Sequence, residues 1–128
     1  MVRRDTRAVG SGAERLAEQF LQRQGLRQIA RNFRCRLGEI DLIMQDHTQL
    51  VFVEVRYRAN NRFSRAGLTV DSHKQRKIIR TAALFLAKKC GYANCVCRFD
   101  IVAIDGDPHG KRSIEWIKDA FRPGDSRL

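Results

Sequence analysis

No apolar stretch in this chain approaches the roughly 20 residues that a membrane-spanning helix needs. The opening Met1-Val2-Arg3-Arg4-Asp5-Thr6-Arg7 carries charge without the apolar core of a secretory signal. The expected compartment is the cytoplasm, where cysteines stay reduced. Cys35, Cys90, Cys95 and Cys97 also lack the paired Cys-x2-Cys spacing of structural zinc sites, so neither a disulfide framework nor zinc is expected. Repeats, low-complexity blocks and heptads are absent, as are an aromatic stacking platform and a recognisable DNA-reading helix, so nothing local specifies a base sequence. Acid is scarce: 14 Asp and Glu stand against 25 Lys and Arg, a formal net charge of +11 at pH 7.

A chain of 128 residues has room for one domain with its own core. The expected domain covers 11–121, between a polar N-terminal tail over 1–10 and a C-terminal tail over 122–128. The basic excess is mainly Arg, whose planar fork suits phosphate better than the point charge of Lys. It is also concentrated. Arg56, Arg58, Arg62, Arg65, Lys74, Arg76, Lys77 and Arg80 face the single acid Asp71 between positions 56 and 80. Nucleic acid is the leading partner on that distribution; the alternative is a solvated helix face and loop.

Ser11-Gly12-Ala13-Glu14 has the form of a capping box, and Ala13, Leu16, Ala17, Phe20 and Leu21 follow as a helical apolar stripe that Gly25 ends. Leu26 to Arg36 alternates as a first strand, with Ile29, Phe33 and Cys35 on one side. Glu39 to Gln45 and Leu50 to Tyr57 read as an antiparallel hairpin around Asp46-His47-Thr48-Gln49. Strict alternation places Ile40, Leu42 and Met44 with Val51, Val53 and Val55 on one apolar face. Asp41 and Glu54 share the other face if the turn contains two or four residues. A second capping box, Ser72-His73-Lys74-Gln75, opens a helix that Cys90-Gly91 closes. Strands over Val96–Ile104 and Ser113–Ile117 complete an order of helix, three strands, helix, strand, strand.

The chemistry lies in Gly38-Glu39-Ile40-Asp41-Leu42 and Val51-Phe52-Val53-Glu54-Val55-Arg56, where charges stand inside strongly apolar strands. Such charges require a partner, whether a cation, a salt bridge or solvent. Two carboxylates converging from neighbouring strands suit Mg2+ or Mn2+, hard cations that prefer oxygen donors and retain waters a substrate phosphate can share. That is the chemistry of phosphodiester hydrolysis. Arg56, two residues after Glu54, points to the same face as a cation for developing charge.

An acid on one strand followed by Glu-x-Lys on the next, in this element order, resembles the PD-(D/E)xK nuclease superfamily with its restriction-endonuclease-like fold. More narrowly, Gly12-Ala13-Glu14, Asn32-Phe33-Arg34, Gly38-Glu39-Ile40-Asp41-Leu42-Ile43, Val51-Phe52-Val53-Glu54-Val55-Arg56, Lys74 and Arg98-Phe99-Asp100 together resemble UPF0102, the uncharacterised bacterial YraN family. The resemblance covers roughly residues 10 to 121. It implies an α/β fold with an αβββαβ core, a mixed sheet flanked by helices. It implies Asp41 and Glu54 as metal ligands with the main-chain carbonyl of Val55, and Arg56 at the place of the superfamily lysine. It also implies Glu14 as a site glutamate on the first helix, as in resolvase-like branches, whose members often act as homodimers.

Arg56 departs from the superfamily pattern: arginine clamps phosphate but does not serve as a base at neutral pH. The expected function is a divalent-metal-dependent endonuclease-like protein acting on DNA rather than RNA, on branched or repair intermediates. The expected catalytic set is Asp41, Glu54, Arg56 and Glu14; Arg58, Arg62, Arg65, Lys74, Arg76, Lys77 and Arg80 grip the nucleic acid, with no membrane partner. The alternatives are a non-catalytic nucleic-acid-binding protein of the same fold, and a basic adaptor that meets an acidic protein. Each residue also has a structural reading: Glu14 as a helix cap, Glu39 as a surface acid, Asp41 or Glu54 paired with Arg56, His47 and His73 as exposed residues, and Asp100 as a hydrogen-bonding strand residue.

Overall fold

The computed structural model describes residues 2–58, 70–92, 95–106 and 112–124. Helix α1 covers Val2–Arg23 and is followed by three strands, β1 (Arg27–Cys35), β2 (Gly38–Asp46) and β3 (Gln49–Arg58). Helix α2 covers Ser72–Lys88, and after a short 3-10 turn at Cys90–Tyr92 come β4 (Cys97–Gly106) and β5 (Arg112–Phe121). The five strands form one sheet in chain order. β3 and β4 run parallel with α2 in their connection, and every other neighbouring pair is antiparallel. This is a mixed α/β sheet flanked by helices.

Each helix covers one face of the sheet because each carries one apolar stripe. Ala13, Ala17 and Leu21 of α1 meet Leu42, Met44, Val51, Val53, Val102 and Ile104. Ile78, Ala82 and Phe85 of α2 meet Ile40, Ile43, Phe52, Phe99 and Ile101 on the opposite face. Aromatic rings bind that second layer together, Phe33 edge-on to Phe85 at 5.2 Å and Phe52 stacked on Phe99 at 5.4 Å. Burying each such side chain contributes about 1.5–3 kcal/mol.

The helix ends are set by local hydrogen bonding. Gly25 ends α1 in the left-handed region at φ 98°. There the N–H of Leu26 donates to the Leu21 carbonyl and the N–H of Gly25 to that of Gln22, both at 3.0 Å, a Schellman closure. The start of α1 differs from the capping-box expectation: the helix already runs from Val2, so Ser11 lies inside it and Glu14 is released from a capping role. At α2 the cap is Asp71 rather than Ser72. Asp71 Oδ1 accepts the N–H of Lys74 at 2.8 Å, and Gln75 Nε2 donates back to the Val70 carbonyl at 2.7 Å. Asp and Ser cap about equally well, and here the residue one position earlier takes the role.

The β2–β3 hairpin closes with Asp46 opposite Gln49 around a two-residue turn in which His47 adopts φ 55°. An even turn keeps Asp41 and Glu54 in phase. Strict alternation along β2 nevertheless fails: Ile40 joins the α2 core while Leu42 and Met44 join the α1 core, so the strand changes face at Asp41. Asp41 falls between the pairs Phe33–Ile40 and Arg31–Leu42, as does Asn32 on β1 with a left-handed φ of 51°, so the two strands leave the regular pleat together.

An acid pocket at the fork of two strands

Pairing between β2 and β3 stops at Leu42–Val53. Below that point β2 follows β1 as far as Cys35–Gly38, whereas β3 follows β4 as far as Arg58–Asp105, so the sheet forks. A strand N–H left without a ladder partner needs another acceptor. Asp41 provides it: Oδ2 accepts the N–H of Val55 at 2.8 Å. The carboxylate thereby closes the crotch of the fork and is fixed in place.

A cavity of about 220 Å³ opens there, lined by Ala13, Glu14, Glu39, Asp41, Glu54, Val55, Tyr57 and Lys74. Both helices contribute, Glu14 from α1 and Lys74 from α2. The Glu14 carboxyl is hydrogen-bonded to the side chains of Asn32 and Asp41. The Lys74 ammonium stands 2.6 Å from Glu54 Oε2, with Glu54 nearly buried and Lys74 half exposed.

The electrostatics follow from crowding acids in a desolvated place. Burial first, then the charge of Glu54, pushes Asp41 from an ordinary 3.8 up to about 8, against the opposing hydrogen bond from Val55. Glu14 is also raised, chiefly by burial. A hydrogen bond between two carboxyl groups requires one of them to carry a proton, so Glu14 and Asp41 share one. One ammonium therefore serves three converging acids. The acids of the pocket offer oxygen donors only, the kind a hard divalent cation would take from Asp41 and Glu54. Among the described residues no three His, Cys, Asp or Glu side chains, those of the pocket included, are arranged to hold a metal ion between them, so a cation here would rest on the pair Asp41 and Glu54.

The remaining site expectations fall in several places. Arg56 is half-buried and is not among the side chains lining the cavity; the cation there is Lys74. The start of α2 carries Lys74 to Glu54. Glu39 lies at the rim, more than half exposed and paired with Arg34 at 3.1 Å. Lys77 and Arg80 are exposed on α2 and Arg76 is half-buried. Arg62, Arg65 and the side chain of Arg58 lie outside the described residues. His47 and His73 are exposed. Asp100 is fully buried away from the fork, accepting from Arg98 Nε at 3.1 Å and from Trp116 Nε1 and the Asp119 N–H at 2.9 Å. Asn32 and Tyr57 were missed as site residues. An asparagine within a strand, tolerant of left-handed backbone, was the available signal for the first.

A mixed α/β sheet forked at its second and third strands, with a carboxylate pocket in the fork, defines the class of this protein. The chain belongs to the uncharacterised protein family UPF0102, whose profile matches residues 13–104, a span that contains every residue lining the pocket. It is similar to a UPF0102 protein of Pseudomonas putida strain W619, 47% identical over 114 residues, covering 89% of this chain and 93% of that one. A UPF0102 protein of Pseudomonas syringae pv. syringae is 47% identical over 121 residues, 94% of this chain and 98% of the relative. One of Nitrosococcus oceani is 48% identical over 113 residues, 88% and 90% respectively.

Proposed function

We propose that this protein is a divalent-metal-dependent endonuclease-like protein of the restriction-endonuclease-like fold, hydrolysing phosphodiester bonds in DNA at branched or repair intermediates. The observation that carries the reading is the convergence of Glu14, Asp41 and Glu54 in one cavity with a single ammonium. The αβββα order with acids where the second and third strands part supports the fold assignment. In this reading Asp41 and Glu54 hold Mg2+ or Mn2+, with the Val55 carbonyl as a further oxygen. Such an ion, when bound, polarises the phosphoryl oxygen and acidifies a water.

The protein's own groups do the rest. The Val55 N–H fixes Asp41, so the carboxylate is pre-oriented rather than ordered on binding. Asp41, raised to about 8, holds a proton at neutral pH that is given up when the site gains positive charge. Lys74 neutralises Glu54 and brings an ammonium to the position where a phosphate enters, and Lys77 and Arg80 extend the positive surface along α2.

The test is incubation of the purified protein with linear, nicked, flapped and four-way branched DNA, and with RNA, in Mg2+ or Mn2+, beside Glu54→Ala. Metal-dependent cutting abolished by Glu54→Ala is the expected result; cutting that survives the substitution refutes the site. A second reading is a nucleic-acid-binding protein without turnover, favoured by the Lys74–Glu54 ion pair, which already occupies one of the ligand oxygens. Salt-sensitive binding with no cutting of any substrate would select it.

A further inference from the structure

Tyr57 lines the acid pocket yet takes no part in its ionic contacts. It follows Val55 and Arg56 at the end of β3, is 42% exposed, and is one of two large exposed hydrophobic side chains among the described residues. A methyl group at Gly106 on the adjoining β4 would collide with the Tyr57 hydroxyl, so the outer end of the ring lies over this glycine.

On the other side of the pocket lies a groove of about 690 Å³ between the β1–β2 turn and the start of α2. Arg34, His73, Lys74 and Lys77 line it, and it shares Glu39 and Lys74 with the acid pocket. In sheet order the groove lies towards β1 and β2, and the ring towards β4, with the fork between them. The groove opens on the α2 face and Tyr57, two residues after Val55, lies on the α1 face; the acid pocket, lined by both Lys74 and Tyr57, joins them into one path through the fork.

We propose that one strand of nucleic acid follows this path, its phosphates along the groove and across the pocket, and that Tyr57 stacks on an unpaired base beside the phosphate held there. The preferred substrate class is thus single-stranded or locally unpaired nucleic acid, such as a flap, a loop or a frayed end. Phosphate contacts do not discriminate strandedness, because both forms present the same anion. A ring seeking a base face does: within a duplex each face is covered by the neighbouring pair, and only an unstacked base offers one. This inference rests on the nucleic-acid reading above.

The test is fluorescence anisotropy of the full chain in EDTA at low salt, with a labelled single strand, a blunt duplex of the same sequence and a duplex carrying a single-stranded flap. The parent should bind the single strand and the flap more tightly than the blunt duplex. Tyr57→Ala and Tyr57→Leu should each weaken single-strand binding about tenfold, Tyr57→Phe should retain it, and duplex binding should not change. Tyr57→Leu keeps an apolar side chain at the end of β3, so the loss is readable even if the alanine variant folds poorly. Equal affinity of the parent for single strand and blunt duplex overturns the proposal, as does undiminished single-strand binding by Tyr57→Leu; both leave the nucleic-acid reading standing. Failure of the parent to bind any of the three probes overturns that reading together with this one.

Discussion

Replacing Asp41 by Asn should stabilise the metal-free protein at neutral pH and flatten its pH dependence. The Asp41 carboxyl is raised from 3.8 to about 8 by burial and by the charge of Glu54. A group raised in the folded state contributes stability that is fully present below its unfolded value and is lost as pH climbs through the folded one. For Asp41 the window runs from about pH 4 to about pH 8. At about 1.4 kcal/mol for each unit of pKa, the parent loses up to about 4 kcal/mol between roughly pH 5 and pH 8, shared with the hydrogen-bonded Glu14. Asparagine keeps an oxygen to accept the Val55 N–H and never ionises, so the Asn variant should lose far less. The assay is urea unfolding in EDTA across that range, with linear extrapolation to water. The histidines are common to both proteins and cancel in the difference. Excess Mg2+ at the alkaline end should restore stability to the parent and leave the variant unmoved. Parallel curves for the two proteins, or a parent that gains stability as pH rises, would refute the crowding of acids at the fork.

Lys74→Ala should weaken nucleic-acid binding about equally across sequences and lower the slope of log affinity against log salt by about one, the signature of a single lost phosphate contact. An unchanged slope in a salt titration would remove Lys74 from the interface. Asp100→Ala should cost about 2–4 kcal/mol in urea unfolding, because it leaves the Trp116 and Asp119 N–H groups and Arg98 Nε without an acceptor, although Arg98 keeps Asp46 and Gln49. A loss below about 1 kcal/mol would mean that water replaces the carboxylate.

By itself the sequence determined the order of elements and the two apolar stripes, because helix and strand periodicities are covalent properties of neighbouring residues. It also determined that acids stood where only a partner could keep them, and the motifs that carry the UPF0102 resemblance. Other features depended on residues remote in the chain. The change of face at Asp41 coincides with left-handed Asn32 on the neighbouring strand, which alternation within β2 could not reveal. The displacement of the capping residue from Ser72 to Asp71 depended on which of two adjacent oxygens reached one N–H. Only tertiary structure put Glu14 and Lys74, sixty positions apart on helices covering opposite faces, into the same fork, and left Arg56 outside its lining. The fork is where β2 and β3 cease to pair, and the Val55 N–H that this frees is what fixes Asp41 there. Its surroundings are decided by how the two helices pack on the sheet.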